Sequence, residues 1–91
     1  MKVPVYLPSM LATCTGGLRE VEFEAATPQQ CLDQLFSQYP LLRSHLFEDN
    51  GGQREHVLIF INDKDMRWLE NLHQPLQEGD EITILQAVSG G

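Results

Sequence analysis

Little in this sequence would tie it to a membrane, a nucleic acid or a metal. The longest apolar run, Val57-Leu58-Ile59-Phe60-Ile61, is five residues, far short of a bilayer span, and Met1-Lys2-Val3-Pro4 opens no signal-peptide apolar region. The chain is therefore expected in the cytoplasm with no membrane partner. Only 6 basic residues stand against 13 acidic ones, a net charge of −7 that argues against nucleic acid or anionic lipid and for a basic protein surface as partner. Two cysteines, Cys14 and Cys31, lie 17 positions apart, in neither a CxxC nor a paired metal-ligand spacing, and are expected to be reduced and unrelated. His45, His56 and His73 are scattered without ligand spacing, and Asp63 and Asp65 lack the further oxygen ligands of a calcium loop, so no metal site is expected. No nucleophile has an adjacent base and no acid-base pair is clustered, which leaves little to suggest an enzyme.

What is present is the pattern of one small α+β domain over 1–91. From Lys2 to Leu7 the residues alternate with Val3, Val5 and Leu7 on one face; a loop from Pro8 to Gly17 follows. A second strand, about Leu18 to Glu24, turns Val21 and Phe23 inward and Glu20, Glu22 and Glu24 outward, as in a half-buried antiparallel pair. Pro4 cannot donate to a ladder, so it is expected near the strand's start with its nitrogen turned away from a neighbour. Thr27-Pro28-Gln29-Gln30 reads as a helix start with Thr27 as N-cap and Gln30 completing a capping box. Leu32, Leu35, Phe36 and Tyr39 form one apolar stripe, Pro40 stops the helix, and Leu41, Leu42, Leu46 and Phe47 suggest a further short helical turn. Glu48 to Glu55 is a loop, and Val57 to Ile61 a strand apolar on both faces. Asn62-Asp63-Lys64-Asp65 reads as a tight turn, Met66-Arg67-Trp68 as a short strand, Leu69 to Leu76 as irregular chain, and Glu78-Gly79-Asp80 as the turn into a last strand.

That last strand, Ile82-Thr83-Ile84-Leu85-Gln86-Ala87-Val88, runs straight into Ser89-Gly90-Gly91. Two terminal glycines arise by chance with roughly 0.6% probability at this glycine content, so the tail is expected to have a purpose. Glycine lacks a Cβ and threads a narrow cleft that other residues would block. Its carboxylate, with a reference pKa of about 3.5, is ionised and able to attack the α-phosphate of ATP on an enzyme that binds both.

The element order, with Ile61-Asn62-Asp63-Lys64-Asp65-Met66-Arg67, Leu76-Gln77-Glu78-Gly79-Asp80-Glu81-Ile82 and Ala87-Val88-Ser89-Gly90-Gly91, resembles the β-grasp, ubiquitin-like fold and, within it, the MoaD/ThiS group of sulfur carrier proteins. The resemblance implies a mixed sheet with one main helix packed on one face and a flexible Gly-Gly tail at 89–91. It also implies that an E1-like adenylyltransferase/sulfurtransferase uses ATP to adenylate Gly91 and converts it to a thiocarboxylate, with Gly90 and Ser89 threading into the partner. The Pro8-Ser9-Met10-Leu11 loop and the Asn62 to Trp68 segment look most like the CysO carriers, which donate sulfur to a pyridoxal-phosphate-dependent cysteine synthase. Two alternatives stay open: the small subunit of molybdopterin synthase, partnered by its large subunit, and a ubiquitin-like protein modifier. No cofactor is expected on the chain itself.

One further expectation comes from strand periodicity. If Ile59, Ile61, Ile82 and Ile84 face the helix, Leu58, Phe60 and Leu85 fall on the opposite surface as a partner interface, unless Trp68 or the Leu69 to Leu76 segment covers them.

Overall fold

The computed structural model describes residues 1–66 and 72–86. Alternation of apolar and polar residues sets the first two strands, β1 (Lys2–Tyr6) and β2 (Glu20–Glu24), which pair antiparallel with Val3 opposite Phe23 and Val5 opposite Val21. These four side chains are buried, and the glutamates of β2 point the other way. Backbone bonds at Met1–Ala25 (3.0 Å) and Leu7–Arg19 (2.8 Å) make the odd-numbered residues of β1 the ones that bond to β2. The nitrogen of Pro4 therefore faces the opposite edge of β1, where the pairing with the last strand begins one residue later, at Val5 and Ile82. Pro4 is tolerated as expected, although it is the third of five strand residues rather than the first.

The expected loop from Pro8 to Gly17 is instead mostly helical. Ser9–Thr15 forms a 3-10 helix, and Leu11 and Thr15 are buried. The carbonyl of Pro8 accepts from the Leu11 N–H at 3.0 Å, which closes the first turn. At the other end the Thr15 hydroxyl lies 2.6 Å from the Leu18 carbonyl, and Gly16 takes the left-handed conformation (φ 69°) that ends the helix. The segment has no 3.6-residue apolar stripe, so periodicity alone does not reveal it.

Helix α1 (Pro28–Gln38) starts as its sequence predicts: the Thr27 side chain accepts from the Gln30 N–H at 3.1 Å, and Pro28 occupies the first turn. Gln30 reaches back one residue further than a standard capping box, accepting from the Ala26 N–H at 2.9 Å. Cys31, Leu32 and Leu35 are buried, while Phe36 and Tyr39 pack at the margin of the core. Pro40 both follows the end of α1 and begins α2 (Pro40–Leu46), the short helix anticipated after it. Leu42 and Leu46 are fully buried beneath it, whereas Leu41 turns outward.

The remaining strands are β3 (Val57–Ile61), β4 (Lys64–Asp65) and β5 (Ile82–Gln86), and the sheet order is β2-β1-β5-β3-β4. The β1–β5 pair is parallel and the others antiparallel, so the sheet is mixed as expected. The described helices lie on one side, over Val3, Val5, Ile59, Ile82 and Ile84. One correction concerns the turn after β3. Only Asn62 and Asp63 turn, because Lys64 already pairs with Ile61 and Asp65 with Phe60. The short strand therefore lies at Lys64–Asp65, ahead of the expected Met66-Arg67-Trp68; Met66 packs on the core and the other two lie outside the described residues.

Asn62 holds the start of β5 to this turn. It adopts a positive φ of 59°, which asparagine accepts more readily than most residues. Its backbone N–H donates to the Glu81 carbonyl (2.8 Å), its Oδ1 accepts from the Glu81 N–H (3.0 Å), and its Nδ2 donates to Asp80 Oδ1 (3.1 Å). Asp80 in turn accepts from the Gln77 N–H at 2.8 Å, closing the turn around Gly79. Asn62→Ala is expected to lower the unfolding free energy by about 2 kcal/mol, combining lost hydrogen bonds with left-handed strain. Asn62→Gly should recover only the backbone part, about 1 kcal/mol, as read from denaturant midpoints.

Candidate functional site

The root of the tail is set by the neighbours of β5. Because β1 runs parallel to β5, the C-terminal end of β5 lies at the edge of the sheet where β1 passes into Pro8 and the 3-10 helix. On the other side Gln86 pairs with Val57, the first residue of β3. The last described residue, Gln86, is thus held by β3, three residues beyond the last pair with β1 at Thr83. Ser89, Gly90 and Gly91, the residues expected to act in the tail, lie outside the described residues together with Ala87 and Val88.

No helix covers the opposite side of the sheet among the described residues, and the strand registers arrange its side chains in rows. Leu58 stands opposite Leu85, and Phe60 opposite Thr83, which is itself beside Tyr6 of β1. Leu58 and Phe60 are half-buried and Leu85 is 44% exposed. The three expected interface residues are therefore brought onto one surface. Trp68, the alternative cover, lies outside the described residues.

Sequence periodicity also contained a residue that the expected patch omits. Lys2, Pro4 and Tyr6 alternate with the buried valines of β1, so Tyr6 is bound to share the open face. Its pairing with both Thr83 and Glu20 places it between the apolar residues and the acidic edge strand β2. Partial burial raises the Tyr6 phenol above its ordinary value, and the carboxylates of Glu20, Glu81 and Glu22 raise it further. Glu24, at the far end of β2, is held below the usual carboxylate range by the hydrogen bond and charge of the Met1 ammonium, with Lys2 adding to the effect.

The other titratable candidates are dispersed. His45 is exposed on α2, His56 precedes β3, and His73 is exposed in the turn after Leu72. Among the described residues no group of three or more His, Cys, Asp or Glu side chains is positioned to hold a metal. Cys31 is buried against the core, which pushes its thiol up to about 11, and Cys14 is half-buried at the 3-10 helix; neither is disulfide-bonded. No helix among the described residues is long and apolar enough to cross a membrane.

Comparison with known proteins agrees with this geometry. The ThiS family model matches residues 5–91. The sulfur carrier protein CysO of Mycobacterium tuberculosis is 32% identical over 93 aligned positions, which cover all of both chains. A chain of the Amycolatopsis orientalis BexX/CysO complex superposes with a TM-score of 0.78 at 32% identity, covering 98% of this chain and 99% of its own length. SAMP1 of Haloferax volcanii gives 0.76 at 29% identity, with all of both chains covered. The mixed sheet with its helices on one side is thus the expected β-grasp, and the chain belongs to the ThiS/MoaD family of ubiquitin-like sulfur carriers.

Proposed function

We propose that this chain carries sulfur as a thiocarboxylate on Gly91 for cysteine biosynthesis in the cytoplasm. A carboxylate oxygen of Gly91 attacks the α-phosphorus of ATP on an E1-like adenylyltransferase/sulfurtransferase, and pyrophosphate leaves. A sulfur nucleophile then displaces AMP, and the resulting thiocarboxylate passes its sulfur to a pyridoxal-phosphate-dependent cysteine synthase. Gly90 and Ser89 provide the narrow neck that enters each partner.

The observation that carries this reading is the central position of β5. The strand that leads into the tail starts between β1 and β3 and stays paired with β3 up to Gln86, so a partner that grips the body also aligns the root of the tail. From Gln86 the five residues to Gly91 reach at most about 18 Å when extended, long enough to enter a neighbouring active site. Full-length similarity to CysO favours the cysteine pathway. Similarity to SAMP1, a small archaeal modifier protein, favours a second reading in which Gly91 forms isopeptide bonds with lysines of other proteins.

Incubation with the cognate E1-like enzyme, ATP and a sulfur source should raise the intact mass by one oxygen-for-sulfur exchange, localised to Gly91. Removal of Gly91 should abolish the exchange without changing the unfolding midpoint, and a shortened chain that still gains sulfur overturns the assignment. With a pyridoxal-phosphate synthase and an activated serine, a cysteinyl adduct is expected at Gly91. Conversion of a molybdopterin precursor with a large synthase subunit would instead select that pathway, and lysine conjugates would select the modifier reading. If Leu58, Phe60 and Leu85 are where the E1-like enzyme docks, Phe60→Ser and Leu85→Ser should each weaken its binding by about 1–3 kcal/mol with little loss of stability. A lowered unfolding midpoint with unchanged affinity would make them core residues instead.

A further inference from the structure

The open sheet face has two halves that the strand register joins into one surface. Across one row, Phe60 of β3 stands beside Thr83 of β5, Thr83 beside Tyr6 of β1, and Tyr6 opposite Glu20 of β2. Two residues further along β2, Glu22 stands opposite Pro4. Glu24 already has the Met1 ammonium as a counter-charge, but among the described residues neither Glu20 nor Glu22 meets a cation at ion-pair distance. Both are exposed, and together with Glu81 they act on the Tyr6 hydroxyl at the middle of the face. The surface is an apolar platform bordered along β2 by carboxylates, of which Glu20 and Glu22 have no ion-pair partner among the described residues.

That combination limits what can cover it. A second copy of the chain would approach with its own charge of −7, and a nucleic acid or anionic lipid would be repelled in the same way. We propose that the open face docks on a protein surface that sets an apolar contact over Phe60 and Leu85 and arginine or lysine side chains over Glu20 and Glu22. The inference rests on the docking role assigned above to the apolar half, and adds the partner's chemistry on the other half. The two halves act on different steps. Charges at a rim steer diffusional encounter and govern the association rate, whereas a desolvated apolar centre governs dissociation.

Association of the whole carrier with the E1-like enzyme, followed by stopped flow across a salt series, tests this division. Glu20→Gln combined with Glu22→Gln should slow association about 3- to 10-fold at low ionic strength and flatten its salt dependence, leaving dissociation nearly unchanged. Phe60→Ser should do the reverse, speeding dissociation. Asp33→Asn combined with Glu48→Gln alters net charge equally, from −7 to −5, but on the helical side of the sheet, and should change association by less than 2-fold. Equal effects from the two charge pairs would overturn the localisation to β2. Parent-like association of the β2 variant, with Phe60→Ser still weakened, would overturn the acidic half alone; parent-like behaviour of both would remove the sheet face as the docking site.

Discussion

Inserting Ile82–Gln86 between β1 and β3 pairs the strand with β3 along its whole length and with β1 at Ile82 and Thr83, and the other elements are arranged around that insertion. Parallel pairing on the β1 side obliges the chain to cross the sheet, and α1 and α2 bury their apolar residues during that crossing. Antiparallel pairing on the β3 side brings Ile59 and Ile61 beside Ile84 and Ile82. The core therefore has two central strands whose isoleucines all face the helices. Asn62 and Asp80 fasten the entry to β5 at one end of the sheet, and the 3-10 helix flanks its exit at the other.

The described helices cover only one side, and among the described residues none lies above the alternate residues of the same strands. The helical side supplies stability, and the open side is free to be shaped for partners. Tyr6 lies on the open side between two core neighbours, Val5 and Leu7, and its place in the row separates aliphatic residues from carboxylates. A protein with this division can change its partner preference on β2 without disturbing the packing beneath.

Much of this was legible wherever a strong local pattern meets a single geometric answer. The alternation in β1 and β2, the Thr27-Pro28 start of α1 and the Leu42 and Leu46 contacts of α2 are of that kind. Periodicity also sorted the isoleucines from Leu58, Phe60 and Leu85. The 3-10 helix was not legible, because it depends on long-range burial of Leu11 and on the hydroxyl of Thr15 reaching Leu18 rather than on a repeat. The position of β4 was shifted because a turn written as four polar residues needed only two once Asn62 accepted a positive φ. Strand order likewise required the structure, since nothing local says that β1 pairs with a strand some 80 residues away. The action of the tail rests on the family resemblance and on the root at Gln86, since Ser89, Gly90 and Gly91 lie outside the described residues.

The pairing of Val5 with Ile82 also governs when the molecule becomes competent. Contacts this distant along the chain impose a large loop-closure cost and slow folding relative to helices and hairpins. During synthesis from the amino terminus, β1 and β2 can pair and α1 can coil, yet the slot between β1 and β3 stays empty until Gln86 has been made. The unpaired edges of β1 and β3 are then the regions most open to misassembly with other chains. Closure of that slot completes the core and sets Gln86 beside Val57, so a partly folded chain has neither a finished core nor a held tail root.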